Sequence, residues 1–325
     1  MVSLRRIMQK WPALALGALS LVACKDPPKG APTAAASTSA PSAGSAGGSV
    51  VASGSAPSTA PSVPAAPAAS GSGAVVAFTL RAPVVGDETE EREQLEVHLA
   101  LDVGAGTKTK GVELTQKDAI VRKTKVLAVD GKAVTKVQVT YVERSESVSQ
   151  NGKEKKGQSP VTGHTYVLTA RDGKLEIADD KGAAVPAEEA RFVLRSHRSL
   201  GKPDAVLAGL PASLRIGDEV PTLGAALEQR MHGQGDDAPS LSDVKVKLAS
   251  LEDGFGVFDL SFTMKSSGKG GSTTESRLKG TLRVRTSDAL VGALVLEGTI
   301  AILSTDKKGK TSGTGDMKMS FVAKR

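Results

Sequence analysis

The sequence is poorest in the residues that most often carry chemistry. Its 325 residues include one cysteine, one tryptophan, two tyrosines and four histidines. A lone thiol closes no intramolecular disulfide, so the folded part must be held by a packed core rather than by covalent staples. Trp11 falls within the first dozen residues, so the rest of the chain has few aromatic platforms, which disfavours binding of single-stranded nucleic acid or sugars by stacking. His98, His164, His197 and His232 are scattered, and no pair has the spacing that places two ligands on one helical or strand face. No metal and no cofactor are expected.

Serine in a nucleophile elbow and paired carboxylates in a recognisable context are also missing, so catalysis is not expected. Charge is missing locally. Between Gly30 and Leu80 there is no charged residue, and the stretch is built almost wholly of Ala, Ser, Pro, Gly, Thr and Val. Such a composition buries too little apolar surface to offset chain entropy. A chain of about 50 such residues has a typical span of about 40 Å. Residues 24–74 are therefore read as a tether, and residues 75–325 as the globular part, divisible into halves 75–200 and 201–325.

At the other end of the tether, Arg5, Arg6 and Lys10 precede an apolar run over residues 11–22, followed by Leu21, Val22, Ala23 and Cys24. The run is short of the roughly 20 residues that a membrane-spanning helix needs. Residues 1–23 have the three-part organisation of an export signal. The Leu21-Val22-Ala23-Cys24 quartet resembles the lipobox of bacterial lipoproteins. That resemblance implies a thioether-linked diacylglycerol on Cys24, cleavage before it, and acylation of the new amino group. It also implies membrane attachment through the N-terminus. With two or three acyl chains, at about 0.8 kcal/mol per buried methylene, that attachment is stable. Lys25 stands where aspartate favours inner-membrane retention in such proteins, with Asp26 one place later, so the outer membrane facing the periplasm is the expected address. The alternative is an ordinary leader cut at a nearby small residue, with Cys24 incidental. The formal charge of +7 falls to +4 once the three leader cations are removed. That excess is too mild to argue for nucleic acid.

Beyond residue 75 the dominant pattern is alternation. Leu95, Val97, Leu99, Leu101 and Val103 share one side of a strand, with Gln94, Glu96, His98 and Asp102 opposite. The same period runs through Thr135 to Tyr141, Tyr166 to Ala170, Phe258 to Met264, Leu278 to Val284, Leu294 to Ile302 and Met317 to Phe321. Asp130-Gly131, Asn151-Gly152, Asp172-Gly173 and Asp253-Gly254 offer the positive-φ positions of tight hairpins. Between the strand sets, Pro186, Glu188 and Glu189 open an amphipathic helix bearing Ala190, Val193, Leu194 and His197 on one face, with Gly201 just past its end. A shorter helix is expected over 223–231. The fold expected is α+β and mostly β: a curved antiparallel sheet of long strands with one or two helices packed on one face. In layout this is similar to periplasmic lipoproteins and lipid carriers in which such a sheet wraps around helices.

Candidate sites are few. Arg277, Lys279, Arg283 and Arg285 project from the polar side of one strand, a stripe suited either to an anionic surface or to plain solvation. His232 with Asp236 and Asp237 in a Gly-rich loop is a weak cation candidate beside the plainer reading of a soluble loop. Gly309-Lys310-Thr311-Ser312 echoes a phosphate-binding loop but has Ser304 at the upstream glycine position and links two strands, so it is discounted. Gly104-Ala105-Gly106 reads as a hairpin turn. The function expected is a non-enzymatic cell-envelope lipoprotein with a binding or structural role, its partner an envelope protein, lipid or cell-wall polymer. The alternative is a carrier of an acyl chain or other apolar ligand between sheet and helices.

Overall fold

The computed structural model describes residues 73–105, 108–157, 159–231, 239–268, 272–306 and 309–325. The leader, Cys24, most of the tether and the His232, Asp236 and Asp237 loop lie outside the described residues. Within them the alternating segments form strands, and the fold is α+β and mostly β, one extended antiparallel sheet with helices on one face. A first meander comprises β2 (Glu88–Ala105), β3 (Lys108–Asp130), β4 (Ala133–Gln150), β5 (Lys153–Gly157), β6 (Thr165–Arg171) and β7 (Lys174–Asp179). A second comprises β9 (Ser240–Glu252), β10 (Phe255–Gly268), β11 (Ser272–Arg285), β12 (Val291–Asp306) and β13 (Gly309–Lys324). Between them come α1 (Ala187–Ser196), α2 (Ala205–Gly209), β8 (Ser213–Arg215) and α3 (Pro221–Met231), and β8 pairs with β1 (Val75–Ala77). The strand order is β7-β6-β4-β3-β2-β13-β12-β11-β10-β9, with β5 on the far part of β4. The long ladder between β2 and β13, from Gly104↔Lys310 to Glu90↔Lys324, joins the two meanders into a single sheet.

The turns explain the register. Asn151-Gly152, Asp172-Gly173 and Asp253-Gly254 each place both residues at positive φ, the conformation that matches the right-handed twist of flanking strands. The fourth expected turn is shifted by one residue. Asp130 still pairs with Ala133, so the two-residue loop is Gly131-Lys132 and only Gly131 is left-handed. The helix expected to run up to Gly201 stops earlier, at Ser196. His197 caps it, and Gly201, at φ +81°, serves the following turn instead. Three short elements, β1, β8 and α2, have too few residues to show a period; α2 is held by its Asp204 cap, whose carboxylate accepts from the amides of Val206 and Leu207.

Curvature comes from glycines on the helix-covered side. Gly280, Gly298 and Gly315 face inward with Leu278, Leu282, Leu296, Ile300 and Met317, and step diagonally across β11, β12 and β13 by one inward position per strand. A Cβ on each would collide with a backbone oxygen of the neighbouring strand, namely those of Val295, Arg277 and His98. The adjacent strand thus folds over the inward face more closely than any other residue permits, and the sheet becomes concave there.

That concave face holds two apolar cores. The larger packs α2, α3, β1 and β8, through Val206, Leu223, Leu227, Val76 and Leu214, onto inward residues of β2 and β9–β13 such as Leu99, Phe258, Leu282 and Phe321. The smaller packs α1 onto β3, β4 and β6 through Val193, Leu200, Ile120, Val139, Tyr141 and Leu168. Both tyrosines of the chain sit in this smaller core. Tyr141 lies edge-on to Tyr166 at 6.0 Å and against Phe192 of α1 at 5.7 Å. Such aromatic pairs add about 0.5–1.5 kcal/mol beyond area burial.

Candidate functional site

Between the two cores, the concave face carries charge. On β2 the inward positions before Leu95 are Thr89, Glu91 and Glu93, and on β3 they are Gln116, Asp118, Arg122 and Thr124; all seven are buried. Register brings them together, because Glu91 pairs with Arg122, Glu93 with Ile120 and Leu95 with Asp118. The Arg122 guanidinium is wholly buried. Its Nε donates to Glu91 Oε2 at 2.6 Å, and its Nη2 donates to Glu93. Burial alone would favour the neutral guanidine, but the charges of Glu91 and Glu93 outweigh it and push Arg122 well above the ordinary arginine value. Arg122 is therefore a fixed cation and not a proton donor. Next to it, a bulge in β4 at Val142, opposite Val121 and Arg122 of β3, turns Arg144 inward, where it donates to Glu146 at 3.0 Å and stacks over the Phe192 ring at 4.0 Å. Asp118 Oδ1 stands 4.0 Å from Arg144 Nε. The result is a polar belt crossing the concave face, with apolar ground on either side.

A smaller polar cluster pins α1. The Tyr166 hydroxyl donates to Glu189 Oε2 at 2.5 Å, and His164 Nδ1 lies 3.2 Å from the same oxygen. Burial, then the hydrogen bond to Glu189, raises the Tyr166 hydroxyl above the usual phenol range. The same hydrogen bond, aided by His164, holds Glu189 below the usual carboxylate range despite partial burial. The cluster fastens the first turn of α1 to β6.

The residues singled out from sequence fall as follows. Arg277, Lys279, Arg283 and Arg285 all lie on β11, but each has an acidic neighbour. Arg277 meets Glu275 at 3.1 Å, Lys279 meets Glu297 at 4.0 Å, and Arg283 meets Glu252 at 3.7 Å. Arg285 meets Asp288 at 2.7 Å. The stripe is thus interleaved with carboxylates. His98 is half-exposed on the outer face near Glu96 and Thr115. His197 is buried on α1, its Nδ1 donating to Val193 O at 2.8 Å. The Gly309 to Ser312 segment opens β13 and leads into no helix. No group of three metal-ligating side chains occurs among the described residues.

The belt escaped the sequence reading, although its signal is present. Glu91 and Glu93 keep phase with Leu95 and Val97, and Asp118 and Arg122 keep phase with Val112 and Leu114. Opposite charges in the apolar phase of two adjacent strands mark a buried ion pair.

No family model matches the chain, and no curated protein matches it. Among solved structures, a lipovitellin structure titled for lipid–protein interactions aligns with 74% of this chain and 25% of its own, at 8% identity and TM-score 0.37. The chain thus spans about a quarter of that protein's length. DynF of the dynemicin biosynthesis pathway of Micromonospora chersina aligns with 77% of this chain and 84% of its own, at 9% identity and TM-score 0.19. The translocator domain of the autotransporter NalP from Neisseria meningitidis aligns with 72% and 88%, at 10% identity and TM-score 0.17. At TM-scores below 0.5 these likenesses carry no weight for function.

Proposed function

We propose that this chain is a non-enzymatic lipoprotein of the cell envelope. In this reading acyl chains on Cys24 hold it to the outer membrane on the periplasmic side, and its sheet domain serves a binding or structural role at the end of the tether. The observation that carries the reading is the order of parts: a basic, apolar leader ending in Leu21-Val22-Ala23-Cys24, then about 50 charge-free tether residues, then one large sheet. The geometry supports a passive role for the concave face, because its buried charges are tied to one another and its apolar positions are covered by the chain's own helices.

Mass spectrometry of the N-terminal peptide from membrane-extracted protein tests the anchor. A tri- or diacylated Cys24 at the first position is the expected result, and a free thiol or a different start refutes it. Cross-linking in intact cells tests the role, with a reproducible envelope partner expected and none counting against it.

The carrier reading draws on the concave sheet and its helix cover. Against it, Val206, Leu210, Leu223 and Leu227 are at most 3% exposed and already occupy the space between sheet and helices. An acyl ligand there needs α2 and α3 to lift. Native mass spectrometry of gently purified full-length protein separates the two, since a bound lipid of discrete mass favours carriage.

A further inference from the structure

Most arginines of this domain sit beside a carboxylate, and three of the exceptions fall close together in the chain. Arg81, Arg92, Arg122, Arg144, Arg277, Arg283, Arg285 and Arg325 each lie within 4.0 Å of a carboxylate. Among the described residues, Arg171, Arg191, Arg195, Arg198 and Arg215 have no such partner. Three of these, Arg191, Arg195 and Arg198, lie on α1 or in the turn that follows it. Arg195 and Arg198 are close enough to repel. Burial, together with the charge of Arg198, depresses Arg195 below the ordinary arginine value, the opposite of what carboxylates do to Arg122.

Arg198 lines a groove of about 520 Å³ between the end of α1 and two hairpins. The groove is also lined by Asp172 and Lys174 from the β6–β7 hairpin, by Asp130 from the β3–β4 hairpin and by Lys202. The floor is built by a close approach. Gly201, at φ +81°, donates its amide to Val134 O at 2.8 Å and passes so near β6 that a Cβ would sit 2.8 Å from the Ala170 Cβ. A larger residue there would be strained and would displace Ala170, so the groove depends on glycine at this position. Lys174, like the α1 arginines, has no carboxylate within 4.0 Å among the described residues. The groove therefore combines a fixed floor with two cations, Arg198 and Lys174, that form no ion pair among the described residues, beside the carboxylates of Asp130 and Asp172.

We propose that this groove binds a phosphate-bearing group, with Arg198 and Lys174 as its principal contacts. A guanidinium and an ammonium lining one groove suit a phosphate oxyanion through charge-assisted hydrogen bonds. The site lies on the helix-covered half of the molecule, far in sequence from the β11 stripe. It goes beyond the envelope reading and does not depend on acylation of Cys24. The same chemistry is offered by a free phosphate compound and by a phospholipid headgroup.

Calorimetric titration of the full chain in neutral maltoside micelles distinguishes these sources. The probes are inorganic phosphate in one arm and short-chain, monomeric phosphatidylglycerol against phosphatidylcholine in the other, all at low ionic strength. Binding of phosphate, or a preference for phosphatidylglycerol, supports the site if Arg198→Gln weakens it about tenfold or more, the loss expected for one charge-assisted bond at about 1.4 kcal/mol per decade. Arg198 is exposed, so the variant should melt with the parent, and Arg215→Gln, distant on β8, should bind as the parent does. Heat with inorganic phosphate alone identifies a soluble phosphate compound as the occupant, and a lipid preference alone identifies a headgroup. Absence of binding in both arms, or binding unchanged by Arg198→Gln, overturns the proposal.

Discussion

Replacing Arg122 by methionine should remove a large share of the domain's stability. The side chains of Arg122 and Glu91 are 0% exposed and that of Glu93 is 8% exposed, so the three charges interact without the solvent screening that reduces exposed pairs to 0–1 kcal/mol. Methionine approximates the aliphatic stem of arginine and leaves little cavity, so packing loss is not the main term. What it leaves is two carboxylates facing each other without their guanidinium. Breaking a buried pair by deleting one partner costs about 3–5 kcal/mol, against a total stability of about 5–15 kcal/mol for a typical domain. At roughly 2–4 °C per kcal/mol for a domain of this size, the melting temperature should fall by about 6–20 °C.

The clean assay is a double-mutant cycle by urea denaturation, with Arg122→Met, Glu91→Gln and the pair together. Once Arg122 is gone, neutralising Glu91 relieves part of the penalty. The double variant should therefore be more stable than the sum of the singles predicts, with a coupling of about 1.5–3 kcal/mol. A coupling under about 0.5 kcal/mol, or an Arg122→Met melt within about 2 °C of the parent, would refute the claim that this triad is a desolvated, mutually dependent unit.

Other consequences are as direct. Gly298→Ala should cost at least about 3 kcal/mol or abolish folding, since its Cβ has no room beside the Arg277 carbonyl, whereas Gly111→Ala, with open space around it, should be near neutral by thermal melt. Glu189 has its folded value depressed, so its contribution to stability is complete above the ordinary carboxylate value of 4.5 and is lost as pH falls through the lowered one. Tyr166→Phe should flatten that acid limb and cost about 1.5–3 kcal/mol at neutral pH, measured as stability against pH. Asp204→Ala should cost about 1 kcal/mol through loss of the α2 cap, detected as faster amide exchange at Val206 and Leu207.

Strands and turns were legible because both are local. A period of two in Leu95 to Val103 or Leu294 to Ile302 says which side is buried without knowing against what, and Asn-Gly or Asp-Gly reports a left-handed pair from two residues alone. The misreadings follow from the same rule. The Gly131-Lys132 loop depends on which residues pair across β3 and β4, and the stop at Ser196 depends on the next turn dropping toward β6. Neither is encoded in a window of a few residues. Of the carboxylates beside the β11 cations, Glu275 lies on β11 itself, whereas Glu252 and Glu297 come from other strands and Asp288 lies beyond the strand end.

The sequence by itself determined the kind of elements, their approximate limits, the buried phase of each strand and the charge-free composition of residues 30–80. These depend on side-chain polarity at fixed short intervals. Only the tertiary structure decided that β2 lies against β13, that three inward glycines bend the sheet around its helices, and that Glu91 and Glu93 meet Arg122 inside it. Each of those facts joins residues separated by tens to hundreds of positions. Whether a charge is exposed, paired or left uncompensated is settled by what folds against it.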